Sequence, residues 1–371
     1  MRILALCKRQ YTNLDLIDDK FGRLRELPIA LAQLGHDVSG ICLSYRSRRE
    51  GVYDDIRDEG RVRWYSLDLK RVLPFGAKSY LRILNRIIKK KPDVIWASSD
   101  AFHIIMGSWI ARKYNIPFVA DLYDNYESFL ITQLVGVKKL LRYSLKSAEG
   151  ICCVSRPLAE YVRETTAFAG PIEVIENAVP EGLFYPMDKL SCRRKLGLPN
   201  DGFFIGTAGA ISKSRGIEVL LSAFERMYKQ NPNIFLVLAG PCDLGLVLPQ
   251  NKRIHYLGVL PPDKIPIFLS ALDVQVICNQ NSSFGKYCFP QKFYEAVACQ
   301  VPVVAAGVGS MLEKLENHSD HLFEVGNVKS LESVLYRQVQ NPSLLPLKVP
   351  TWNIRGKQLD YFLQNIHSNK L

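Results

Sequence analysis

The sequence predicts an α/β protein made of two doubly wound domains facing across a cleft. Three observations carry that expectation. Short β-branched apolar runs alternate with helical patterns almost from end to end, an alternation that implies parallel sheets with crossover helices on both faces. The runs are continuously apolar, as strands buried on both faces must be. The series breaks once, over residues 177–200, where Pro180, Gly182, Pro186, Gly197 and Pro199 read as a linker. A length of 371 residues suits two cores of ordinary size.

In chain order, the first series of strands is expected at residues 2–7, 37–44, 62–67, 93–97, 118–122, 150–154 and 173–175. The opening MRILALC has no long apolar segment or small-residue cleavage site after it, so it reads as a buried strand and not a leader. The second series falls at 203–208, 234–239, 254–257, 274–278, 301–305 and 322–324. Helical periodicity fills the gaps, at 23–34, 78–90, 102–113, 216–228, 262–271 and 291–298. A last patterned segment has no strand to follow and is assigned back to the first domain. The domains are therefore 1–178 with 355–371, and 179–354.

The composition is 47% hydrophobic and 23% charged, that of a soluble globular protein. No apolar run reaches the ~20 residues that span a bilayer. The nine cysteines show no CxxC or Cys/His spacing for a metal, and most lie in strand patterns, as reduced cytosolic thiols do. The expected location is cytoplasmic, with peripheral attachment to the inner face of the plasma membrane as an option. The net charge of +12 is uneven: roughly 28 Lys and Arg face 19 Asp and Glu in residues 1–170, about +9. That half suits an anionic membrane surface, a phosphorylated lipid or a nucleic acid; a solvated basic surface is the plain alternative. No aromatic-basic interleaving supports nucleic acid.

Ligands of such sheets bind beyond the carboxyl ends of the strands. In the first domain those ends carry Ser98-Ser99-Asp100, Asp121 with Tyr123-Asp124, and Ser155; in the second, Gly209 to Gly216, Gly240, Gly258 and Gly307. The 209–216 loop leads into a helix, so glycine-exposed amides, a helix N-terminus and the side chains of Lys213 and Arg215 suit an anion. A basic surface turn is the alternative. The stretch CFPQKFYEAVACQ raises a sharper question. Glu295 sits in an apolar run three residues after Lys292, with Pro290 near the start of the helix. A buried carboxylate needs a partner. It could accept hydrogen bonds from the vicinal hydroxyls of a ribose, beside a diphosphate at Lys292; the plain alternative is an intrahelical Lys292–Glu295 pair.

The pattern P-x-K-x-x-E-A-x-A-x-x-x-P-V-V-A, Pro290 to Ala305, resembles the donor-binding signature of retaining GT-B glycosyltransferases of family 4, the glycosyl transferases group 1. GHDV at Gly35, IEVIENAV at Ile172 and GTAGAISKSRGIEVLLSAF at Gly206 are similar to further segments of that family. The likeness covers nearly the whole chain and is strongest over residues 200–315.

The resemblance implies a GT-B fold and a retaining, metal-independent hexosyltransferase without a cofactor, whose donor is a nucleotide-diphosphate sugar linked to UDP or GDP. It implies that Glu295 binds the ribose, that Lys213 and Arg215 meet the diphosphate, and that Gly258-Val259 grips the base through backbone groups. It places Asp124 near the reacting sugar. The acceptor is expected to be a lipid-linked or saccharide hydroxyl, as in bacterial surface polysaccharide or glycolipid assembly.

The departures are specific. A second glutamate common in the family, eight residues before Glu295, is replaced by Tyr287, and the usual arginine of the glycine loop by Ala210. They motivate the rival expectation: an inactive relative that binds a sugar nucleotide or scaffolds a membrane-associated complex. Lys8, Arg9 and Gln10 replace an N-terminal glycine loop and read as solvated, with donor or acceptor contact as the alternative. His103 reads as structural. Asp18-Asp19 and Asp54-Asp55 lack strand context for a metal site. Over 78–91, Tyr80, Ile83, Leu84, Ile87 and Ile88 share an apolar face expected in the core, while Lys78, Arg82, Arg86, Lys89 and Lys90 line a basic side able to touch lipid headgroups.

Overall fold

The structure, a computed structural model, describes residues 1–11, 14–72 and 77–368. It divides into one unit of Met1–Asn177 with Trp352–Leu371 and another of Ala178–Thr351. The first unit is an eight-stranded sheet. Its strands are β1 (Arg2–Lys8), β2 (Asp37–Ser44), β3 (Gly51–Arg57), β4 (Gly60–Asp68), β5 (Val94–Ser98), β6 (Phe118–Leu122), β7 (Gly150–Cys153) and β8 (Ile172–Val174). They lie in the order β8-β7-β6-β5-β1-β2-β4-β3. The second sheet holds β9 (Phe203–Ala208), β10 (Ile234–Ala239), β11 (Ile254–Tyr256), β12 (Val274–Ile277), β13 (Val303–Ala306) and β14 (Leu322–Phe323), ordered β11-β10-β9-β12-β13-β14. In each unit the chain starts at a central strand and winds outward both ways. The fully buried runs in β1, β5, β6, β10 and β12 show why those strands carry no polar alternation.

One edge differs from an all-parallel expectation. β3 pairs antiparallel with β4, Gly51 opposite Ser66 through Arg57 opposite Gly60. Only Asp55 of its seven residues is buried, so it lacks the apolar signature of the other strands. The acidic pairs are consumed here and nearby by arginines: Asp54 pairs with Arg61 and Arg63, Asp55 with Arg25, and Asp18 with Arg9. Residues 177–200 also hold more than a linker. Lys189–Lys195 form a helix, capped by Asp188 and tied to Asp273 through Lys189 and Arg193.

The helices used below are α1 (Arg23–Gln33), α2 (Ala77–Ile88), α3 (Ala101–Tyr114), α4 (Val137–Lys146), α5 (Ile217–Gln230), α6 (Gln291–Ala298) and α7 (Trp352–Ser368). The terminal α7 belongs to the first unit. A Cβ on Gly356 would stand 2.4 Å from the Ala30 Cβ, so the two helix backbones meet at a glycine. Polar ties hold α7 to the rest of the unit: His36 Nε2 lies 2.7 Å from Asp360, Arg355 pairs with Glu176 at 2.6 Å, and Gln358 donates to Glu173 at 2.6 Å. On α2, Tyr80, Leu84 and Ile87 are buried, as the helical pattern requires, while Ile83 and Ile88 of the same face are half-buried and Arg82, Arg86, Lys89 and Lys90 are exposed.

Beneath the carboxyl end of β6, Arg23 and Asp121 form a fully buried bidentate pair at 2.6 and 3.0 Å. Arg23 also donates to the Ile175 carbonyl, and Ser98 donates to Asp121 at 2.7 Å. Removing one partner strands the other charge in the core. Asp121→Ala is expected to destabilise the first unit by about 3–5 kcal/mol, read as a lowered urea midpoint by circular dichroism; a shift under about 1 kcal/mol would show the pair to be dispensable.

Candidate functional site

In the second sheet β9 is flanked by β10 and β12, which places the topological switch point between β9 and β12, where open α/β sheets bind ligands. The chain leaves β9 at Gly209, whose φ of 110° is open to glycine. Ile211 donates to the Pro241 carbonyl, so the loop runs along the end of β10. A single turn, Lys213–Arg215, leads to Gly216 at φ 76°. A Cβ there would lie 2.0 Å from the Cys278 carbonyl oxygen, so only glycine lets the loop press onto the end of β12 before α5 begins.

The helix α6 explains the carboxylate in an apolar run. Phe293, Tyr294 and Ala296 are buried, so most of this helix faces core. Pro290 is its N-cap and accepts from the Phe293 amide at 3.0 Å; having no N–H itself, it leaves Gln291 and Lys292 as the first free donors. Lys292 and Glu295 do not take each other as hydrogen-bond partner. The half-buried Lys292 extends toward the end of β9, with Nζ 3.4 Å from Thr207 Oγ1 and 3.7 Å from where a Gly209 Cβ would stand. Burial lowers the pKa of its ammonium and the charge of Arg215 adds to that, against Cys278 and Glu295. Glu295, 9% exposed, accepts from Gln291 Nε2 at 2.8 Å. Burial pushes its carboxyl up to about 7, opposed by that bond and by Lys292.

The other residues singled out in the sequence divide. Arg215 is half-buried, its guanidinium carbon 3.2 Å from the Phe284 ring centroid, and electrostatically coupled to Lys292. Lys213 is exposed and its ammonium sits 3.2 Å from Glu218, while its carbonyl accepts from Gln280 at 2.8 Å. The structure thus brings Gly209, Arg215, Lys292 and Glu295 around one strand end and turns the Lys213 charge to a surface pair. Val259 is 68% exposed beside Gly258, which accepts from the Gly240 amide at 2.7 Å. Tyr287 ends a short helix, Ser283–Tyr287, and is half-buried.

The first unit has its own switch point, between β1 and β5. Here the expectation of a solvated Lys8-Arg9-Gln10 segment fails. Arg9 and Gln10 are buried because Arg9 is bound to Asp15 at 2.8 Å and Gln10 reaches Ser44. Lys8 lies over the Tyr123 and Phe129 rings at 5.6 and 5.7 Å. Burial lowers its pKa, while Asp100 and Asp124 oppose that. Asp124 is buried and accepts from the Asn125 amide at 2.7 Å. Asp100 caps α3, accepts from Tyr45 Oη at 2.8 Å and lies 2.8 Å from His103 Nδ1. Burial alone would raise its carboxyl; His103 and Tyr45 hold it instead at about 2. His103 is fully buried and also touches Ser99, in keeping with a structural part.

Sequence reasoning missed Gln291, Thr207, Phe284 and Tyr45. Gln291 was within reach of it, because Gln291 and Glu295 are four apart on a helix. The others depend on which strands are neighbours.

The family described as Glycosyltransferase Family 4 matches residues 23–182, and the one described as Glycosyl transferases group 1 matches residues 188–345. A D-inositol 3-phosphate glycosyltransferase of Stackebrandtia nassauensis is 28% identical over 235 residues, 58% of this chain and 50% of that protein. One of Streptomyces bingchenggensis is 30% identical over 204 residues, 50% of this chain and 44% of that protein. The matched stretch spans about half the length of these curated relatives. Among solved structures, sucrose-phosphate synthase of Thermosynechococcus elongatus aligns over 100% of this chain and 97% of its own, at TM-score 0.73 and 18% identity. HepE of Anabaena in complex with UDP aligns over 100% and 98%, at TM-score 0.67 and 18% identity. These two likenesses establish the fold, GT-B.

Because the Glu295 carboxyl is raised from 4.5 to about 7, the folded state favours its neutral form. The stability this allows is complete below about pH 4.5 and is lost as pH rises through 7. Glu295→Gln keeps the shape and cannot ionise. It is expected to match the parent near pH 4 and to exceed it by roughly 1–3 kcal/mol at pH 8, read by urea denaturation at both pH values. Parallel profiles would show that Glu295 ionises freely.

Proposed function

We propose, from the premise that this chain belongs to the family 4 and group 1 glycosyltransferases, that it moves a hexose from a nucleotide-diphosphate sugar to an acceptor hydroxyl with retention at the anomeric carbon. One observation carries the reading. At the switch point of the second unit a half-buried lysine, a buried carboxylate one turn on and a glycine-opened loop converge, and the two ionisable groups take Thr207 and Gln291 as hydrogen-bond partners instead of each other. A diphosphate beside Lys292 and Arg215 and a ribose diol on Glu295 would satisfy both. HepE of Anabaena, of the same fold, was solved in complex with UDP-glucose, which supports a nucleotide sugar as the donor class.

The chemistry follows from those residues. The bond from the anomeric carbon to the diphosphate oxygen breaks, and the acceptor oxygen forms its bond on the same face. The acceptor proton passes to the departing phosphate oxygen. Lys292 and Arg215, with Lys213 as an outer charge, stabilise the negative charge that develops there; this is the metal-independent route. Gly258-Val259 is proposed at the base, and Tyr287 beside the hexose. Asp124, with Lys8 and Asp100, is proposed on the acceptor side. The basic first unit suits a lipid-linked acceptor at a membrane face, as in bacterial surface polysaccharide or glycolipid assembly.

Calorimetric titration with UDP, GDP and their sugar conjugates is expected to show one nucleotide binding at micromolar strength, lost in Glu295→Ala. Binding by none would favour a scaffold. Affinity for that nucleotide should fall as pH drops below about 7, because a protonated Glu295 cannot accept from both hydroxyls, and Glu295→Gln should flatten the profile. Arg215→Ala and Lys292→Ala should each lower turnover by about 10²-fold or more, with a smaller loss in nucleotide affinity. Lys213→Ala is expected to cost less; unchanged turnover in both Lys213→Ala and Arg215→Ala would remove the assigned roles.

A further inference from the structure

We propose that residues 130–146 and the end of α3 form a docking surface for an anionic lipid bilayer, with Leu130 and Val135 as the inserted side chains. The stretch reads LITQLVGVKKLLRYSLK. Leu130 is 90% exposed and Val135 104%, and Ile131, Leu134, Leu140 and Tyr143 are exposed around them. Single exposed apolar residues are ordinary; a contiguous set marks a surface that is covered in use. It is one surface because α3 and α4 are tied together by Ser108 and Ser147 at 3.0 Å and by Arg112, which donates to Tyr143 Oη at 3.1 Å.

The charge on this surface is of one sign. Arg112, Lys113, Lys138, Lys139, Arg142 and Lys146 border the apolar residues, and no Asp or Glu occurs from Ser128 to Ala148. The acid just before that interval, Glu127, is buried and already holds Arg142 at 2.6 Å, Lys138 at 2.9 Å and Tyr161 at 2.9 Å. Lys139, Lys146, Arg112 and Lys113 keep their charge toward solvent. Trp109 and Tyr143 sit under Lys113 and Arg112, each 5.0 Å from ring centroid to cation. An apolar tip, a ring of cations and amphipathic aromatics between them match the three layers of an anionic bilayer: acyl chains, headgroup charge and interface. The basic face of α2 offers less apolar surface: Tyr80, Leu84 and Ile87 are in the core, and Leu81 is its one exposed large apolar side chain among the described residues.

The assignment rests on the membrane-side acceptor reading above, and its test is independent of transfer. Sedimentation with vesicles of phosphatidylcholine alone, and of equimolar phosphatidylcholine and phosphatidylglycerol, is measured for the parent, for Leu130→Ser with Val135→Ser, and for Lys139→Glu with Lys146→Glu. UDP binding is measured on each protein. The parent should sediment with the anionic vesicles and not the neutral ones, less so at high salt, and each double variant should bind them about tenfold more weakly with UDP binding unchanged. The proposal is overturned by a parent that stays in solution, as it would if a protein partner covered this face, by equal binding to neutral vesicles, or by undiminished binding in the charge variant. Absence of UDP binding in every protein would remove the donor reading and leave the vesicle result standing.

Discussion

The candidate site depends on a constraint inside α6: a lysine and a carboxylate one turn apart, on a helix mostly sunk in the core, without a pair between them. Two groups so placed could cancel by forming an ion pair. Instead Lys292 extends to Thr207 and the open backbone at Gly209, and Glu295 takes the amide of Gln291. Burial therefore acts on both, lowering one pKa and raising the other. Each group is held in an environment that disfavours its charge, and a ligand with an anion at one end and a diol at the other would relieve both. Perturbed groups at a strand end are where chemistry is expected.

That arrangement needs the glycines. Gly216 lets the 209–216 loop touch the Cys278 carbonyl at the end of β12, and a Gly240 Cβ would stand 2.0 Å from the Gly209 carbonyl oxygen. Side chains at either position would lift the loop away from the strands and carry Arg215 with it. The first unit reaches a similar end by different means. Its sheet is anchored by the buried Arg23–Asp121 pair, and its switch point is filled with an aromatic-lined lysine and two carboxylates. Polar side chains occupy the place where the second unit keeps open backbone.

Much of this was legible in the residues. Continuous apolar runs located the central strands because double burial leaves no room for polar alternation, and the proline and glycine cluster after Asn177 marked the passage between units. The antiparallel strand Gly51–Arg57 escaped because an exposed edge strand needs no apolar pattern. Arg9 escaped because its burial depends on Asp15 folding back over it, a contact that charge and position along the chain do not encode.

By itself the sequence determined the types of the central elements, the doubly wound class, the two-unit organisation and Glu295 as a carboxylate that required an explanation. Those are consequences of local periodicity and of what an apolar run tolerates. Tertiary structure alone decided the partners. Lys292 meets Thr207, 85 positions away, because β9 and α6 converge at the switch point; Lys213 is drawn to Glu218 one turn along; and Lys8 is enclosed by Tyr123 and Asp100 because β5, β6 and β1 are near neighbours in the sheet. Which charges are screened by water and which are held in a low dielectric follows from strand order, and no local pattern in the chain specifies it.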